Sequence, residues 1–255
     1  MEEILKLKNL SKTFSGSDKT VNVLNNVSLD IMKGEFVSIL GPSGCGKSTL
    51  LKLIISLIEP DSGEIVFGSG NSGKKICSMI FQEPRLMPWL SVEKNIDFVL
   101  PRSIPKEERK ALISRNLELV GLSDFRRSYP SQLSGGMQQR ASIARELSTD
   151  PDILLLDEPF SALDAFTRMT MQTELRRIWE ERGTTMILVT HDIDEAVFLS
   201  GRIVIMSNKT GNIERVIKNN ITSRRDRSSS EFLEMRRKIL RTFFNENEDM
   251  LEYII

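Results

Sequence analysis

Residues 35–49 read EFVSILGPSGCGKST, and this stretch decides the fold. Residues 35–40 form a short apolar run that is typical of a buried strand. A helix is predicted from residue 47 to about residue 58, and the loop residues 41–48 match the pattern G-x-x-x-x-G-K-[S/T] completely. Because the pattern lies between a strand and a helix, the chain is predicted to bind the phosphates of a nucleotide.

The chemistry of phosphate binding explains the residue types of this loop. Glycines let successive backbone N–H groups point at phosphate oxygens, and the helix N-terminus adds its positive end. The Lys47 ammonium is predicted to contact the β- and γ-phosphates of ATP, and the Ser48 hydroxyl to be a ligand of Mg²⁺. The predicted nucleotide contacts in this segment are Gly41, Pro42, Ser43, Gly44, Cys45, Gly46, Lys47, Ser48 and Thr49.

Length and composition argue against several other classes of protein. The chain has 255 residues, 40% of them hydrophobic, which is enough for a large α/β domain with its own core. The net charge of +0 gives no global attraction for nucleic acid. Two cysteines, Cys45 and Cys77, do not make a secreted disulfide framework, so a cytoplasmic protein is expected. The apolar stretch 50–58 is too short to span a membrane, so work at a membrane would need a partner.

A pair of carboxylates follows a second apolar run. Residues 153–159 read ILLLDEP, which is typical of a buried strand that ends in two acidic residues, as in a Walker B segment. Asp157 is predicted to hold Mg²⁺ through water, and Glu158 to polarise the water that attacks the γ-phosphate. Taken alone, such a pair would be a solvated loop, and the upstream phosphate loop is what favours the catalytic interpretation.

Two other polar residues also follow apolar runs. His191, the only histidine, comes after residues 186–189, and Gln82 comes after residues 79–81. Ligand sites of parallel sheets lie at the carboxyl ends of the strands, so His191 is predicted to sense the γ-phosphate and to orient Glu158 and the water. Gln82 is predicted to ligate Mg²⁺ or contact the same water. Taken alone, they would be a structural histidine and a surface glutamine.

The rest of the pattern alternates short strands with helices and indicates an α/β sheet. Residues 92–147 are mainly helical in pattern, and the Gly/Ser-rich residues 69–75 are predicted to be a hairpin tip. Ser228–Ser230 could cap a final helix that either packs on its own domain or binds a partner. The apolar face of that helix consists of Phe232, Met235, Ile239, Leu240 and Phe243. The nearby arginines, Arg224, Arg225 and Arg227, are predicted to be solvated.

Residues 133–140 read LSGGMQQR and resemble the signature of ABC ATPase domains, LSGGQ. A helical pattern begins at Gln138. Ser134, Gly135 and Gly136 therefore form a second glycine-rich helix start, which has the chemistry of a second anion site.

The order of the motifs is that of ABC ATPase domains: the phosphate loop, Gln82, the signature, the acidic pair, Ser161–Asp164 and His191. This resemblance to an ABC transporter ATP-binding subunit covers about residues 1–215. It implies an α/β fold, namely a RecA-like P-loop NTPase core with an antiparallel β subdomain and an inserted helical subdomain. The ATPase domain is then expected at residues 1–220, its helical subdomain at about 92–147, and a C-terminal helical tail at 221–255.

The resemblance also implies an ATP-dependent, head-to-tail homodimer. Each ATP would lie between the phosphate loop of one chain and Ser134, Gly135 and Gly136 of the other. Each motif occurs once in this chain, which fits two chains that complete two sites. Phe14 matches the aromatic residue that stacks on adenine, and Asp164 matches the residue that communicates across the dimer interface.

Four segments resemble one branch of the family, the nitrate/sulfonate/taurine importers, and importers of pyrimidine vitamin precursors share much of the pattern. They are residues 81–90 (FQEPRLMPWL), 158–168 (EPFSALDAFTR), 191–199 (HDIDEAVFL) and 225–232 (RDRSSSEF). The branch implies an ATPase on the inner face of the cell membrane that energises import of a small solute. Its partners would be transmembrane permease subunits and, indirectly, a solute-binding protein.

The permease is expected to dock near Gln82–Trp89, where Met87 and Trp89 would suit an apolar groove. Packing of Trp89 inside the helical subdomain is the alternative.

Two other functions compete with transport. An ABC ATPase acting on nucleic acid would carry long coiled coils before the signature or two ATPase domains, and this chain has neither pattern. A P-loop kinase would need an acceptor site and gives no reason for residues 133–140. No nucleic-acid partner is therefore expected.

Overall fold

The apolar runs of the sequence form one six-stranded sheet in the computed structural model, which describes residues 2–15, 20–68, 77–161, 163–207, 211–221 and 226–244. With labels that follow the chain, the order across the sheet is β5 (Cys77–Ile80), β6 (Ile153–Asp157), β7 (Thr185–Thr190), β3 (Phe36–Leu40), β8 (Arg202–Met206) and β9 (Ile213–Lys218). All neighbours are parallel except β8 and β9.

A second, three-stranded sheet is antiparallel and has the order β2 (Thr20–Met32), β1 (Glu3–Ser15), β4 (Ser62–Phe67). The two sheets confirm the α/β fold with an antiparallel β part. The predicted hairpin tip, residues 69–75, lies outside the described residues. The strands that flank it, β4 and β5, belong to different sheets and do not pair with each other.

Seven α-helices are described, and residues 92–147 contain three of them, as the pattern predicts. The helices are α1 (Lys47–Ile54), α2 (Val92–Val99), α3 (Lys106–Leu119), α4 (Gly135–Leu147), α5 (Ala165–Arg182), α6 (Ile193–Leu199) and α7 (Ser230–Phe244). Within the described ranges, no helix is both long enough and apolar enough to cross a membrane. The domain boundaries given above stay predictions.

Helix α1 is shorter than the sequence pattern indicates, since it ends at Ile54 and not near residue 58. Ser56 adopts the left-handed conformation, with a φ of 58°. The N–H of Leu57 donates to the carbonyl of Lys52 at 2.9 Å, which closes the last turn. The helix therefore stops by its own backbone geometry before it reaches Pro60.

Both faces of the six-stranded sheet are buried, and alternate residues of each central strand serve different clusters. In β6, Ile153 and Leu155 pack with β1 and α1, whereas Leu154 and Leu156 pack with α2 to α5. A parallel sheet covered on both faces explains why these strands are continuous apolar runs. The buried strands hold their carboxyl ends in fixed positions.

The C-terminal helix packs on its own chain, as one of the two alternatives predicted. Phe232 and Ile239 of α7 are buried in a cluster with residues of α6, β8 and β9. The prediction that Arg227 is solvated is wrong. Its guanidinium lies 4.2 Å from the centre of the Phe198 ring and donates a hydrogen bond to Oε1 of Gln172. Arg224 and Arg225 lie outside the described residues.

Candidate active site

The strand order brings the predicted motifs to one edge of the sheet. Strand β3 leads into the phosphate loop, and β7 and β6 lie beside it in that order. Asp157 is the last residue of β6, and His191 directly follows β7. The carboxyl ends of neighbouring parallel strands meet at one edge, so motifs more than a hundred residues apart in sequence form one site.

The phosphate loop needs glycine at position 46. Gly46 has a φ of 100°, and a Cβ there would lie 2.6 Å from the carbonyl oxygen of Val23. It is the N-cap of α1, and without a side chain it leaves the first N–H groups of the helix for another acceptor. A phosphate group would satisfy those donors.

Lys47 is folded inward in this structure. Its side chain is 4% exposed, and Nζ donates to the carbonyl oxygens of Gly41 at 2.7 Å and of Pro42 at 2.9 Å. The ammonium is thus held by carbonyl oxygens of the loop itself, and phosphate oxygens would compete with them for it.

The other predicted loop residues divide into an exposed tip and a buried base. Ser43 and Gly44 are exposed, whereas Gly41 and Cys45 are buried and Thr49 is half-buried in α1. Burial raises the pKa of the Cys45 thiol. Cys45 is therefore a packing residue of the loop, and a contact to phosphate would come from its backbone.

Two oxygen ligands suitable for Mg²⁺ lie next to each other below the loop. The Ser48 hydroxyl donates to Oδ1 of Asp157 at 2.8 Å. Burial raises the pKa of the Asp157 carboxyl, and the hydrogen bond from Ser48 opposes that effect. A hydroxyl and a buried carboxylate fit a cation that prefers oxygen ligands, and a bound Mg²⁺ would offset the cost of burying the negative charge.

Glu158 and His191 form a pair at the next position along the edge. Nδ1 of His191 lies 3.1 Å from Oε2 of Glu158, and the backbone N–H of Glu158 donates to the carbonyl of Val189 at 3.0 Å. Glu158 has a φ of 44°, which costs energy for a residue with a side chain. The pairing with β7 holds Glu158 in this strained conformation, with its carboxylate toward the histidine.

Gln82 reaches the same loop from β5. Its Nε2 donates to Oγ of Ser161 at 3.1 Å, and Oγ of Ser161 donates to the carbonyl of Glu158 at 3.0 Å. The structure therefore links Gln82 to the Glu158 turn through Ser161. Its role as a ligand of Mg²⁺ stays a prediction.

The signature turn is at the start of α4, whereas the phosphate loop is at the start of α1. Oγ of Ser134 accepts a hydrogen bond from the N–H of Met137 at 3.3 Å, and Ser134 and Gly135 are exposed. A Cβ at Gly136 would lie 2.6 Å from Cγ2 of Thr167, so glycine allows α4 to approach the start of α5. Among the described residues, nothing lies within 4 Å of where a Cβ of Gly135 would stand.

Phe14 lies on the exposed end of the three-stranded sheet. It is 44% exposed, and Nζ of Lys12 lies 5.7 Å from the centre of its ring. Phe14 pairs with Val21, two residues before Val23, whose carbonyl lies against Gly46. An exposed aromatic face on the loop side of the sheet is compatible with stacking on a base.

The loop after Gln82 is held by a buried asparagine. The side chain of Asn95 accepts from the N–H of Met87 at 2.7 Å and donates to the carbonyl oxygens of Met87, Leu90 and Ser91. Trp89 is nevertheless 70% exposed. Local packing does not account for Trp89, because its ring projects from a loop that is fixed from inside.

Sequence reasoning missed a group of polar residues beneath His191. A cavity of about 40 Å³ is lined by Glu158, Ser161, Arg168, Thr190, His191, Asp192 and Glu195. Burial raises the pKa of Glu195 to about 7, against an opposing hydrogen bond from Thr190. The available signal was Asp192 followed three residues later by Glu195, the start of a capping box, in which Asp192 accepts from the N–H of Glu195 at 3.1 Å.

A parallel sheet with a phosphate loop, a carboxylate at a buried strand end and a second carboxylate paired with histidine defines an ATPase of the P-loop class. The family model described as ABC transporter matches residues 24–161. This chain belongs to the ABC transporter family, as one of its ATP-binding and ATP-hydrolysing subunits.

Relatives and solved structures agree with this assignment. The chain is 51% identical to the aliphatic sulfonates import ATP-binding protein SsuB of Bacillus cereus, over 92% of this chain and 93% of that one. It is similar to a dimeric, post-hydrolysis ATP-binding cassette bound to ADP and Pi, with 36% identity, a TM-score of 0.73, and coverage of 84% of this chain and 98% of that one. A component of the cbiONQ ABC transporter complex of Clostridium perfringens has 26% identity, a TM-score of 0.77, and coverage of 100% and 99%.

Proposed function

We propose that this chain hydrolyses ATP to energise import of aliphatic sulfonates or a closely related small anion. The observation that carries the ATPase mechanism is the 3.1 Å contact between His191 and Glu158, next to the pair formed by Ser48 and Asp157. The choice of solute is supported by the relative named for sulfonate import, which matches over nearly its whole length.

The phosphate loop binds the triphosphate by exchanging hydrogen bonds within the loop for hydrogen bonds to phosphate oxygens. Nζ of Lys47 leaves the carbonyls of Gly41 and Pro42 and donates to phosphate oxygens, while the N–H groups at the start of α1 bind the same group. Ser48, Asp157 and Gln82 would hold Mg²⁺, which when bound neutralises charge on the β- and γ-phosphates.

Glu158 acts on the attacking water. Its carboxylate accepts a hydrogen bond from that water, and His191 holds the carboxylate in place and contacts the γ-phosphate. Phosphoryl transfer requires mostly positioning and charge stabilisation, so a fixed pair at the edge of the sheet is sufficient chemistry.

Two copies of the chain complete two sites in a head-to-tail dimer. Ser134 and Gly135 are exposed and Gly136 is buried, all three lie at the start of α4, and the acidic pair of this chain is not part of that turn. The turn is therefore the complement of another chain's phosphate loop. The dimeric cassettes among the solved relatives support association in pairs.

Transmembrane permease subunits dock at the loop Gln82–Trp89 and thereby place the ATPase on the inner face of the cell membrane. The exposed Trp89 provides an apolar anchor on a loop that Asn95 holds rigid, which is the character of an interface hot spot. Gln82 lies at the start of the same loop, so docking is mechanically linked to the hydrolytic site.

Reconstitution tests this proposal. The chain is co-purified with its membrane subunits, inserted into vesicles with the solute-binding protein, and supplied with ATP inside the vesicles. Uptake of an aliphatic sulfonate that requires ATP, and that Trp89→Ala reduces while hydrolysis by the isolated chain stays intact, is expected. ATP-dependent uptake of nitrate, with no uptake of any aliphatic sulfonate, would overturn the assignment of the solute.

A further inference from the structure

A chain of polar contacts connects the C-terminal segment to the turn that carries His191. The Thr190 hydroxyl donates to Oε2 of Glu195 at 2.7 Å and accepts from the N–H of Asp192 at 3.0 Å. His191 lies between these two residues, so its backbone is clamped on both sides. Thr190 and Glu195 are 2% and 5% exposed, which shields the clamp from water.

The next link is a buried amide on α5. Gln172, which is 2% exposed, accepts a hydrogen bond from Arg227 at its Oε1, and its side-chain amide lies close enough to the Glu195 carboxylate to lower the pKa of that group slightly. A buried amide uses both ends in this position, and loss of either partner would leave a buried polar group unsatisfied. Gln172 thus lies between Arg227 and the clamp, and a change in the position of Arg227 would alter the surroundings of Glu195.

Arg227 is held in place by the turn that precedes α7. The carboxylate of Asp226 accepts from the N–H of Ser228 at 2.9 Å and from its hydroxyl at 2.7 Å, and Oγ of Ser229 accepts from the N–H of Phe232 at 3.3 Å. Phe232 is 1% exposed and anchors the helix. This turn lies in the segment 225–232, for which the ATPase mechanism has no use.

We propose that Arg227 is a positioning residue for hydrolysis, which acts through Gln172 and Glu195 on the turn that holds His191. The inference rests on the proposed role of His191. The Phe198 ring supports Arg227 from below at 4.2 Å, so the guanidinium is fixed by a planar contact as well as by its hydrogen bond. Undocking of the C-terminal segment would free the clamp and slow the chemical step without affecting the phosphate loop.

The test compares variants of the full chain at saturating ATP. Arg227→Ala is expected to lower kcat about tenfold, because a buried network is left incomplete, with KM for ATP within about twofold. Arg227→Lys should recover only part of the rate, since lysine lacks the planar group. Arg237→Ala is the matched control, because Arg237 is an exposed arginine on α7, the helix that follows the turn of Arg227.

A spectroscopic measurement separates positioning from general destabilisation. His191 is the only histidine of the chain, so imidazole NMR signals of an untagged sample report on it alone. Arg227→Ala should shift or broaden those signals, and Arg237→Ala should not. Arg236→Ala breaks the 3.1 Å ion pair between α7 and Asp194, so it loosens the helix without touching the chain of bonds.

The outcomes discriminate clearly. Wild-type kcat and unchanged His191 signals in Arg227→Ala would overturn the proposal, as would an equal loss of rate in Arg236→Ala. If His191→Ala itself hydrolyses ATP normally, the proposed role of His191 is wrong. If His191→Ala is inactive and Arg227→Ala is normal, only the connection to the C-terminal segment fails. Coupling is confirmed if Arg227→Ala and Glu195→Gln together cost less than the sum of their separate effects.

Discussion

The molecule contains two glycine-rich helix starts, and they differ in what satisfies their N–H groups. Helix α4 is capped by its own Ser134, which accepts from Met137, and its turn is exposed. The N-cap of helix α1 is Gly46, which has no side chain, and its first turn carries Lys47 and Ser48, the latter bonded to Asp157.

The two helix starts can therefore contribute different halves of the chemistry. The α1 start lies beside an ammonium, a hydroxyl–carboxylate pair and a second carboxylate, which are the groups proposed to bind the phosphates and Mg²⁺ and to activate water. The α4 start has donors and an open approach but none of those groups. The comparison therefore favours a site divided between two chains, in which α4 completes the α1 site of its partner.

The largest effect on the rate of ATP hydrolysis is expected from a change beside the start of α1. Glu158→Gln should lower kcat by about 10²–10⁴-fold, because the general base is lost while the shape of the side chain is kept. ATP binding should persist, and an ATP-dependent dimer should accumulate in light scattering. Glu83→Gln, an exposed carboxylate on the loop after β5, is the control. Unchanged hydrolysis would remove Glu158 from its assigned role.

A mixing experiment tests whether the α1 start of one chain and the α4 start of another form one site. Lys47→Ala should abolish ATP binding, and Ser134→Arg should block hydrolysis by at least about 10²-fold while a monomer still binds ATP. Mixed together, the two inactive variants should regain activity, since a mixed dimer has one site with an intact phosphate loop and an intact signature. A mixture with no more activity than its components contradicts the head-to-tail arrangement.

A pH effect on stability is expected from the buried acid beneath His191. Burial, and then the neighbouring Asp192, raise the pKa of Glu195 to about 7, whereas Thr190 and Arg168 oppose the rise. The folded state binds this proton more tightly than the unfolded state, so stability falls as pH rises from 4.5 to about 7. Glu195→Gln removes this dependence, worth about 3 kcal/mol in all.

Urea unfolding at pH 4.5 and pH 8 checks the sign. The free energy of unfolding of Glu195→Gln, relative to that of the wild type, should rise from pH 4.5 to pH 8. The same difference should stay constant for Glu231→Gln, because Glu231 is an exposed carboxylate. A constant difference in unfolding free energy across this range would mean that Glu195 does not titrate there.

The smallest effect concerns the self-capped helix. Ser134→Ala should lower the free energy of unfolding by about 1 kcal/mol without nucleotide, because the cap to Met137 is lost. Ser134→Thr should keep most of the stabilisation by the cap, because threonine also has a hydroxyl that can accept from Met137. Thermal unfolding without ATP provides the measurement, and equal stability of all three proteins would show that α4 needs no cap.

The strand ends of the site could be predicted because one topological rule governs them. Asp157 and His191 follow short apolar runs, and parallel strands place such residues at one edge. The relation of Arg227 to Gln172 could not be predicted in this way, since it depends on how α7 packs against α5 and α6. Arg227 looks like a solvated charge in sequence, and only the tertiary position of Phe198 gives it a planar contact. The end of α1 was missed because Ser56 has no strong preference for a left-handed backbone.

The pairing of β3 has a consequence for synthesis on the ribosome. Phe36–Leu40 pairs only with β7 and β8 among the described strands, and β8 ends at Met206. The anchor of the phosphate loop, β3, therefore gains both neighbours only after the chain has been translated through Met206. A nascent chain that ends before β7 would carry the whole loop sequence without either strand that pairs with β3, so we expect the loop to take its shape only after long-range pairing.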